Sequence, residues 1–89
     1  MTTYIVTFEI NNTQRKNALI SKLKEEPFFC PIHENACAIR TKKDIAELKF
    51  ELVKITISTD RLFVIITGHE AVWINAYSMK NPEWLKKYL

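Results

Sequence analysis

The first ten residues alternate between two kinds of position. The residues at 4, 6, 8 and 10 are aromatic or aliphatic, and they would share one face of a strand, with the residues at 3, 5, 7 and 9 on the other. The pattern predicts a strand over residues 3–10, central in its sheet, with Glu9 at its carboxyl end. A carboxylate in that place can hold a metal ion, or it can be only a polar end to a buried strand.

Two later segments have helical periodicity. Residues 14–26 follow side chains suited to helix capping and end at Pro27, which disfavours helical geometry in the residue before it. Apolar residues at 45, 48, 52 and 55 recur at three- and four-residue steps and predict a second helix to about residue 57. Thr41 and Asp44 stand before it at the spacing of a capping box.

Short apolar stretches between and after the helices predict strands. Residues 28–33 and 35–41 form a hairpin, and a two-residue turn would put Cys30 and Cys37 on the core face and His33 on the other. These three side chains then do not converge on a zinc ion, and two buried free thiols are expected. A last strand follows in the stretch from Arg61 to Thr67, apolar on both faces.

The element order strand, helix, strand, strand, helix, strand predicts an α+β fold, a ferredoxin-like βαββαβ sandwich with both helices on one face of an antiparallel sheet. Residues 1–89 make a single domain. We expect a core over 1–68 and a C-terminal extension over 69–89, placed at a dimer interface. The extension would add a strand at 71–77 and a helix at 82–89.

One face of this sheet would carry no helix. Ile5, Thr7 and one side of residues 62–66 are expected on it. Exposed apolar surface of this kind usually marks a partner site, so a homodimer through this face is the predicted assembly.

Composition narrows the class of protein. The chain is 47% hydrophobic and 26% charged, as in an ordinary folded domain, and it contains only two cysteines. No apolar run is long enough to span a bilayer, so no membrane association and a cytoplasmic location are expected. A net charge of +3 favours a polyanionic partner such as nucleic acid.

Three stretches of the sequence resemble a known family. They are the opening strand, the entry Asp60-Arg61-Leu62 into the last predicted strand, and the ending Trp84-Leu85-Lys86. The family consists of small proteins related to the second of the two universal CRISPR-associated proteins, and the chain resembles its SinR-like subgroup most. Together these stretches span almost the whole chain, although each is short.

The resemblance implies a symmetric dimer in which an acid at the end of the first strand comes from both subunits and binds Mg²⁺ or Mn²⁺ for phosphodiester hydrolysis. Related virulence-associated D proteins are ribonucleases, and other members only hold DNA as a scaffold. The matching residue here is Glu9, where the family has aspartate, and Phe8 replaces a tyrosine. The additional methylene moves the carboxylate by about a bond length, a displacement that catalytic geometry tolerates poorly.

Two hypotheses for function follow. The first is a metal-dependent endonuclease that uses Glu9, with His69 as a general base or phosphate ligand. The second is a non-catalytic dimer that holds nucleic acid or a protein partner. The alternatives are that Glu9 is a strand-end acid paired with Arg15 or Lys16, and that His69 is a plain turn residue. The candidate phosphate contacts are the basic residues at element ends, Arg15, Lys16, Arg40, Lys42 and Lys43.

Overall fold

The computed structural model describes residues 1–67 of the 89-residue chain. In chain order the elements are β1 (Thr2–Glu9), α1 (Thr13–Lys24), β2 (Phe28–His33), β3 (Ala36–Thr41), α2 (Ile45–Val53) and β4 (Arg61–Ile66). The four strands form one antiparallel sheet in the order β2-β3-β1-β4. This is an α+β architecture compatible with a small ferredoxin-like fold. The predicted extension over 69–89 lies outside the described residues.

The core lies between the sheet and both helices. Tyr4, Val6 and Phe8 are buried on one face of β1, as the alternating pattern predicts. The two helices contribute four buried leucines to the same cluster, Leu19, Leu23, Leu48 and Leu52. Because both helices pack on this one face, the predicted placement of the helices is confirmed.

Helix α1 begins after Asn12, whose side-chain oxygen accepts a hydrogen bond from the backbone N–H of Arg15 at 2.8 Å. It ends at Lys24, two residues before the predicted end. Ala18, expected to face inward, is exposed.

Helix α2 begins at Ile45, the first of its predicted apolar positions, but its cap differs from the predicted one. Asp44 is its N-cap: the Asp44 carboxylate accepts from the Glu47 N–H at 2.8 Å, and the Glu47 side chain accepts from the Asp44 N–H at 3.4 Å. The predicted cap, Thr41, is instead the buried last residue of β3, and its hydroxyl accepts from the Lys43 N–H. Helix α2 also ends at Val53 rather than near residue 57.

The β2–β3 hairpin has the predicted two-residue turn but a different register. The pairing shifts between Pro31 and His33, so Cys30 lies opposite Ala38, and Pro31 lies opposite Cys37. The prediction that the two cysteines share the core face is therefore wrong. Cys37 faces the helices, and Cys30 packs with Ala38 on the other side of the sheet. Proline lacks the N–H that would continue the ladder, which gives a physical reason for a break at this position.

We call the sheet surface that carries neither α1 nor α2 the open face. Alternate residues of β1 lie on it, with their antiparallel partners from β3 and β4; these include Ile5, Thr7, Glu9, Ala38, Arg61, Phe63 and Ile65. Phe63 is 65% exposed and Ile65 is 52% exposed. Among the described residues, the prediction of uncovered apolar surface here is confirmed.

Candidate functional site

A shallow cleft of ≈ 420 Å³ lies at one end of the open face. Three parts of the chain meet there: the end of β1, the β2–β3 turn and the start of β4. Its lining contains one acid, one arginine and one histidine, and it comprises Thr7, Phe8, Glu9, His33, Asn35, Arg61 and Phe63. The cleft thus joins charged groups to the apolar surface of Phe63.

Glu9 and Arg61 are direct partners in the β1–β4 register, so their Cβ atoms are about 5 Å apart. Both side chains are exposed, and neither forms an ion pair with any described residue. The alternative prediction that Glu9 pairs with Arg15 or Lys16 is wrong, because each of those bases has another acid as its partner. Within residues 1–67, no ion-pair partner occupies the Glu9 carboxylate or the Arg61 guanidinium.

Arg15 binds Asp60 through two parallel contacts. Its Nε donates to Asp60 Oδ2 at 3.0 Å, and its Nη2 donates to Asp60 Oδ1 at 3.1 Å. The Ile57 N–H also donates to this carboxylate, whose side chain is only 2% exposed. The hydrogen bond from Arg15, followed by that from Ile57, lowers the pKa of Asp60. The pair ties the loop before β4 to α1 and so fixes where Arg61 enters the sheet.

His33 reaches the cleft because the two-residue turn aligns it with Ala36, which lies opposite Thr7 on the open face. The Nδ1 atom of His33 accepts a hydrogen bond from the Asn35 N–H at 3.1 Å. Because Nδ1 accepts this bond, the neutral imidazole carries its proton on Nε2. The Asn35 carbonyl in turn accepts from the Phe8 N–H at 2.9 Å, which holds the turn against the end of β1.

The structure divides the five basic candidates between two ends of the sheet. Arg15 and Lys16 lie on α1, and Lys16 binds Glu34 at 3.2 Å in the β2–β3 turn beside the cleft. Arg40 lies opposite Thr3 at the start of β1, with Lys42 and Lys43 just beyond it. Six residues of extended chain separate Thr3 from Glu9, a span of about 20 Å. The five residues therefore do not form one patch in a single protomer.

Lys43 is already bound to two acids, at 2.7 Å to Glu26 and 2.8 Å to Glu51. The hydrogen bonds that Lys43 donates to Glu26 and then to Glu51 raise the pKa of Lys43, and the bond to Glu51 lowers the pKa of Glu51. Three of the five predicted phosphate contacts thus take part in ion pairs within the chain. Lys42 is exposed, and His69 lies outside the described residues.

One protomer does not supply a complete metal site within the described residues. No group of three or more potential ligands occurs among residues 1–67, and Glu9 is the one carboxylate that lines the cleft. Mg²⁺ is usually held by one or two carboxylates together with water and substrate phosphates. Glu9 suits that chemistry, and a second copy of the chain would have to bring the second carboxylate.

The two thiols offer no nucleophile. Cys30 and Cys37 are free and buried. Burial raises the pKa of both, and that of Cys37 reaches about 12, with the nearby Cys30 adding to the effect. A thiol with so high a pKa stays protonated and unreactive at neutral pH.

Comparison with protein-family models, with curated proteins and with solved structures finds no match for this chain. Among residues 1–67, no helix has the length and apolar character needed to cross a membrane.

Arg61 and His33 are the cleft residues that sequence analysis did not select as functional. Arg61 was noted only as part of a family motif, and His33 was assigned to the face away from the core with no role. The antiparallel register offered a signal for Arg61: the end of the first strand must meet the start of the fourth wherever these strands are neighbours. The predicted two-residue turn likewise offered a signal for His33, because it places His33 opposite Ala36 on the face away from the core.

Proposed function

We propose that the protein is a cytoplasmic, ferredoxin-like homodimer of the SinR-like, CRISPR-associated type that binds nucleic acid and cleaves phosphodiester bonds with Mg²⁺ or Mn²⁺. The observation that carries the proposal is the Glu9 carboxylate, which has no ion-pair partner among residues 1–67 and lines a cleft at the edge of an exposed apolar sheet face.

The strand order supports the ferredoxin-like part of the proposal. With β1 and β3 central and antiparallel, and with β2 and β4 at the edges, each helix connects two strands that are separated by one other strand. That is the arrangement of two split βαβ units. Both helices then cover one face, and the other is left for a partner.

Exposed apolar side chains support the dimer. Phe63 and Ile65 stand on the open face beside Ile5, and apolar surface that remains in water is the usual mark of an association site. A two-fold axis through this face would bring together the same residues from two copies. Because Glu9 lies on this face, the axis would also bring two Glu9 carboxylates toward one cleft.

The chain's own groups have separable roles in this proposal. A divalent metal, when bound, supplies Lewis-acid activation of water and of the phosphoryl oxygen. Glu9 would hold that metal from each subunit. The Arg15–Asp60 pair keeps the β4 entry in place, and the Asn35–Phe8 hydrogen bond keeps the turn in place.

A non-catalytic scaffold is the second candidate, and one observation favours it specifically. Arg61 faces Glu9 across the two strands, and a neighbouring positive charge weakens the attraction of a carboxylate for a metal ion. A cleft built in this way can hold a nucleic-acid backbone without hydrolysing it.

The decisive experiment is cleavage of labelled RNA and DNA with Mg²⁺ or Mn²⁺ by the wild type, Glu9→Gln and a matched control, Glu25→Gln. Glu25 is an exposed acid at the C-terminus of α1, away from the cleft. The endonuclease proposal requires activity in the wild type and the control, lost on adding EDTA and lost in Glu9→Gln. Equal activity in all three proteins would mean that Glu9 is not catalytic. If none cleaves but binding weakens with salt, the scaffold function is supported.

A further inference from the structure

The most informative group that the proposed function leaves without a role is the Arg61 guanidinium. It is exposed at the cleft, and among residues 1–67 it makes no ion pair or hydrogen bond. A guanidinium presents five N–H donors in a planar fork that matches the oxygens of a phosphate group. An exposed arginine in a cleft is thus chemically suited to bind one.

A second donor lines the same cleft. Because the Asn35 N–H donates to Nδ1 of His33, the neutral ring keeps an N–H at Nε2, which is the nitrogen left to contact a ligand. Two hydrogen bonds of Asn35 link the His33 ring to β1: the Asn35 N–H donates to the ring, and the Asn35 carbonyl accepts from the Phe8 N–H. These bonds fix the position of the ring relative to the end of β1.

The charges in the cleft determine which ligand fits. Glu9 and Arg61 offset each other, so a free dianion gains little from the cleft as a whole. A phosphodiester carries one negative charge, so its oxygens can accept hydrogen bonds from Arg61, and Glu9 would hold a divalent metal beside it. Arginine, a histidine N–H and a metal-binding carboxylate together form a set of groups able to orient a phosphodiester.

We propose that Arg61 and Nε2 of His33 form a phosphate subsite beside Glu9 that holds a backbone phosphodiester of the bound nucleic acid. This rests on the proposed function for the identity of the ligand, but not for whether cleavage follows. Arg61 and His33 position the phosphate, and Glu9 holds the metal. The subsite explains why a charged pair lies opposite in register without closing on itself.

The first test is a nuclear magnetic resonance titration of ¹⁵N-labelled protein with dimethyl phosphate, a phosphodiester with one negative charge, at constant ionic strength. We expect saturable shifts of the Arg61 Nε–H and His33 Nε2 signals in the wild type, and loss of the His33 shift in Arg61→Gln. The matched control is Lys49→Gln, which removes one exposed positive charge from α2 at a different groove. Unshifted Arg61 and His33 signals at the highest dimethyl phosphate concentration, or an equal His33 shift in Arg61→Gln, would overturn the subsite.

The second test measures binding of a labelled oligonucleotide over a range of salt concentrations. Arg61→Gln should weaken affinity about tenfold and reduce the slope of log affinity against log salt by about one, because one phosphate contact is lost. His33→Phe should weaken it several-fold, because the N–H donor at Nε2 is lost. Lys49→Gln should match the wild type. The same affinity and slope in Arg61→Gln would contradict the proposal.

The two proposals fail in different ways. A wild type that binds dimethyl phosphate through Arg61 but never cleaves refutes the endonuclease and leaves the subsite in place. Metal-dependent cleavage that needs Glu9, with affinity unchanged in Arg61→Gln, refutes the subsite and leaves the endonuclease. Absence of both dimethyl phosphate and oligonucleotide binding refutes both.

Discussion

Glu9 and Arg61 occupy the last register position between β1 and β4, yet they do not form an ion pair. An exposed pair of this kind gains little by closing, because water screens the charges and holding two side chains together costs conformational entropy. The carboxylate and the guanidinium are thus adjacent and exposed, and no other described side chain pairs with either of them. That relationship connects both proposals made for the cleft.

The first prediction is that Glu9→Gln leaves stability almost unchanged. The Glu9 side chain is exposed and makes no ion pair within the described part of the chain, so the free energy of unfolding should change by less than about 0.5 kcal/mol. Urea denaturation monitored by circular dichroism gives this value. A loss well above 1 kcal/mol would show that Glu9 has a structural role, and any loss of activity in the variant would then have another explanation.

The second prediction concerns the predicted dimer. Phe63→Asp should convert the protein from twice its 10.5 kDa chain mass to a single chain, because it places a charge in the centre of the apolar open face. The matched control is Phe50→Asp on α2, since Phe50 is 64% exposed and Phe63 is 65% exposed. Light scattering after gel filtration measures both masses. If Phe50→Asp dissociates the protein and Phe63→Asp does not, the dimer uses the helical side.

Sequence periodicity anticipated the fold better than the site. The alternation in β1 predicted the core face correctly, and Glu9 was correctly placed at a strand end, because both depend only on local order along the chain. The hairpin register could not be read in the same way: one shift near Pro31 moves Cys30 to the opposite face. The neighbours of Glu9 depend on register across three strands, which explains why Arg61 and His33 were not selected.

The start of α2 illustrates the same limit on a smaller scale. Thr41 and Asp44 are both good capping residues and are three positions apart, so local pattern favours neither. Tertiary structure decides between them, because Thr41 is needed in β3 opposite Thr2. The cap then falls to Asp44, which finds Glu47 three residues on.

The third prediction uses the Arg15–Asp60 pair. Its hydrogen bonds lower the pKa of Asp60, so the folded state binds the proton at this carboxyl less readily than the unfolded chain does. The resulting stabilisation is fully present above the unfolded pKa of about 3.9 and is lost as pH falls through the lower folded pKa. Asp60→Asn should therefore have a lower urea midpoint than the wild type at pH 7, with a difference that shrinks below about pH 4. A difference independent of pH would indicate that packing, and not charge, is responsible.

The fourth prediction concerns Lys43, which lies between β3 and α2 and forms ion pairs with Glu26 and Glu51. Glu26 is buried, with a side chain only 5% exposed, so Lys43→Met leaves a carboxylate away from water without its cation. A buried group left unsatisfied costs about 1–3 kcal/mol, and the free energy of unfolding at pH 7 should fall by that amount. Adding Glu26→Gln removes the uncompensated charge and should recover part of the loss, which a double-mutant cycle measures as coupling between the two positions.

The matched control is Lys42→Met, because Lys42 is exposed and lies on the same connection; it should change the free energy of unfolding by less than about 0.5 kcal/mol. Additive losses in the double variant would mean that Lys43 stabilises the fold through its aliphatic stem and not through Glu26.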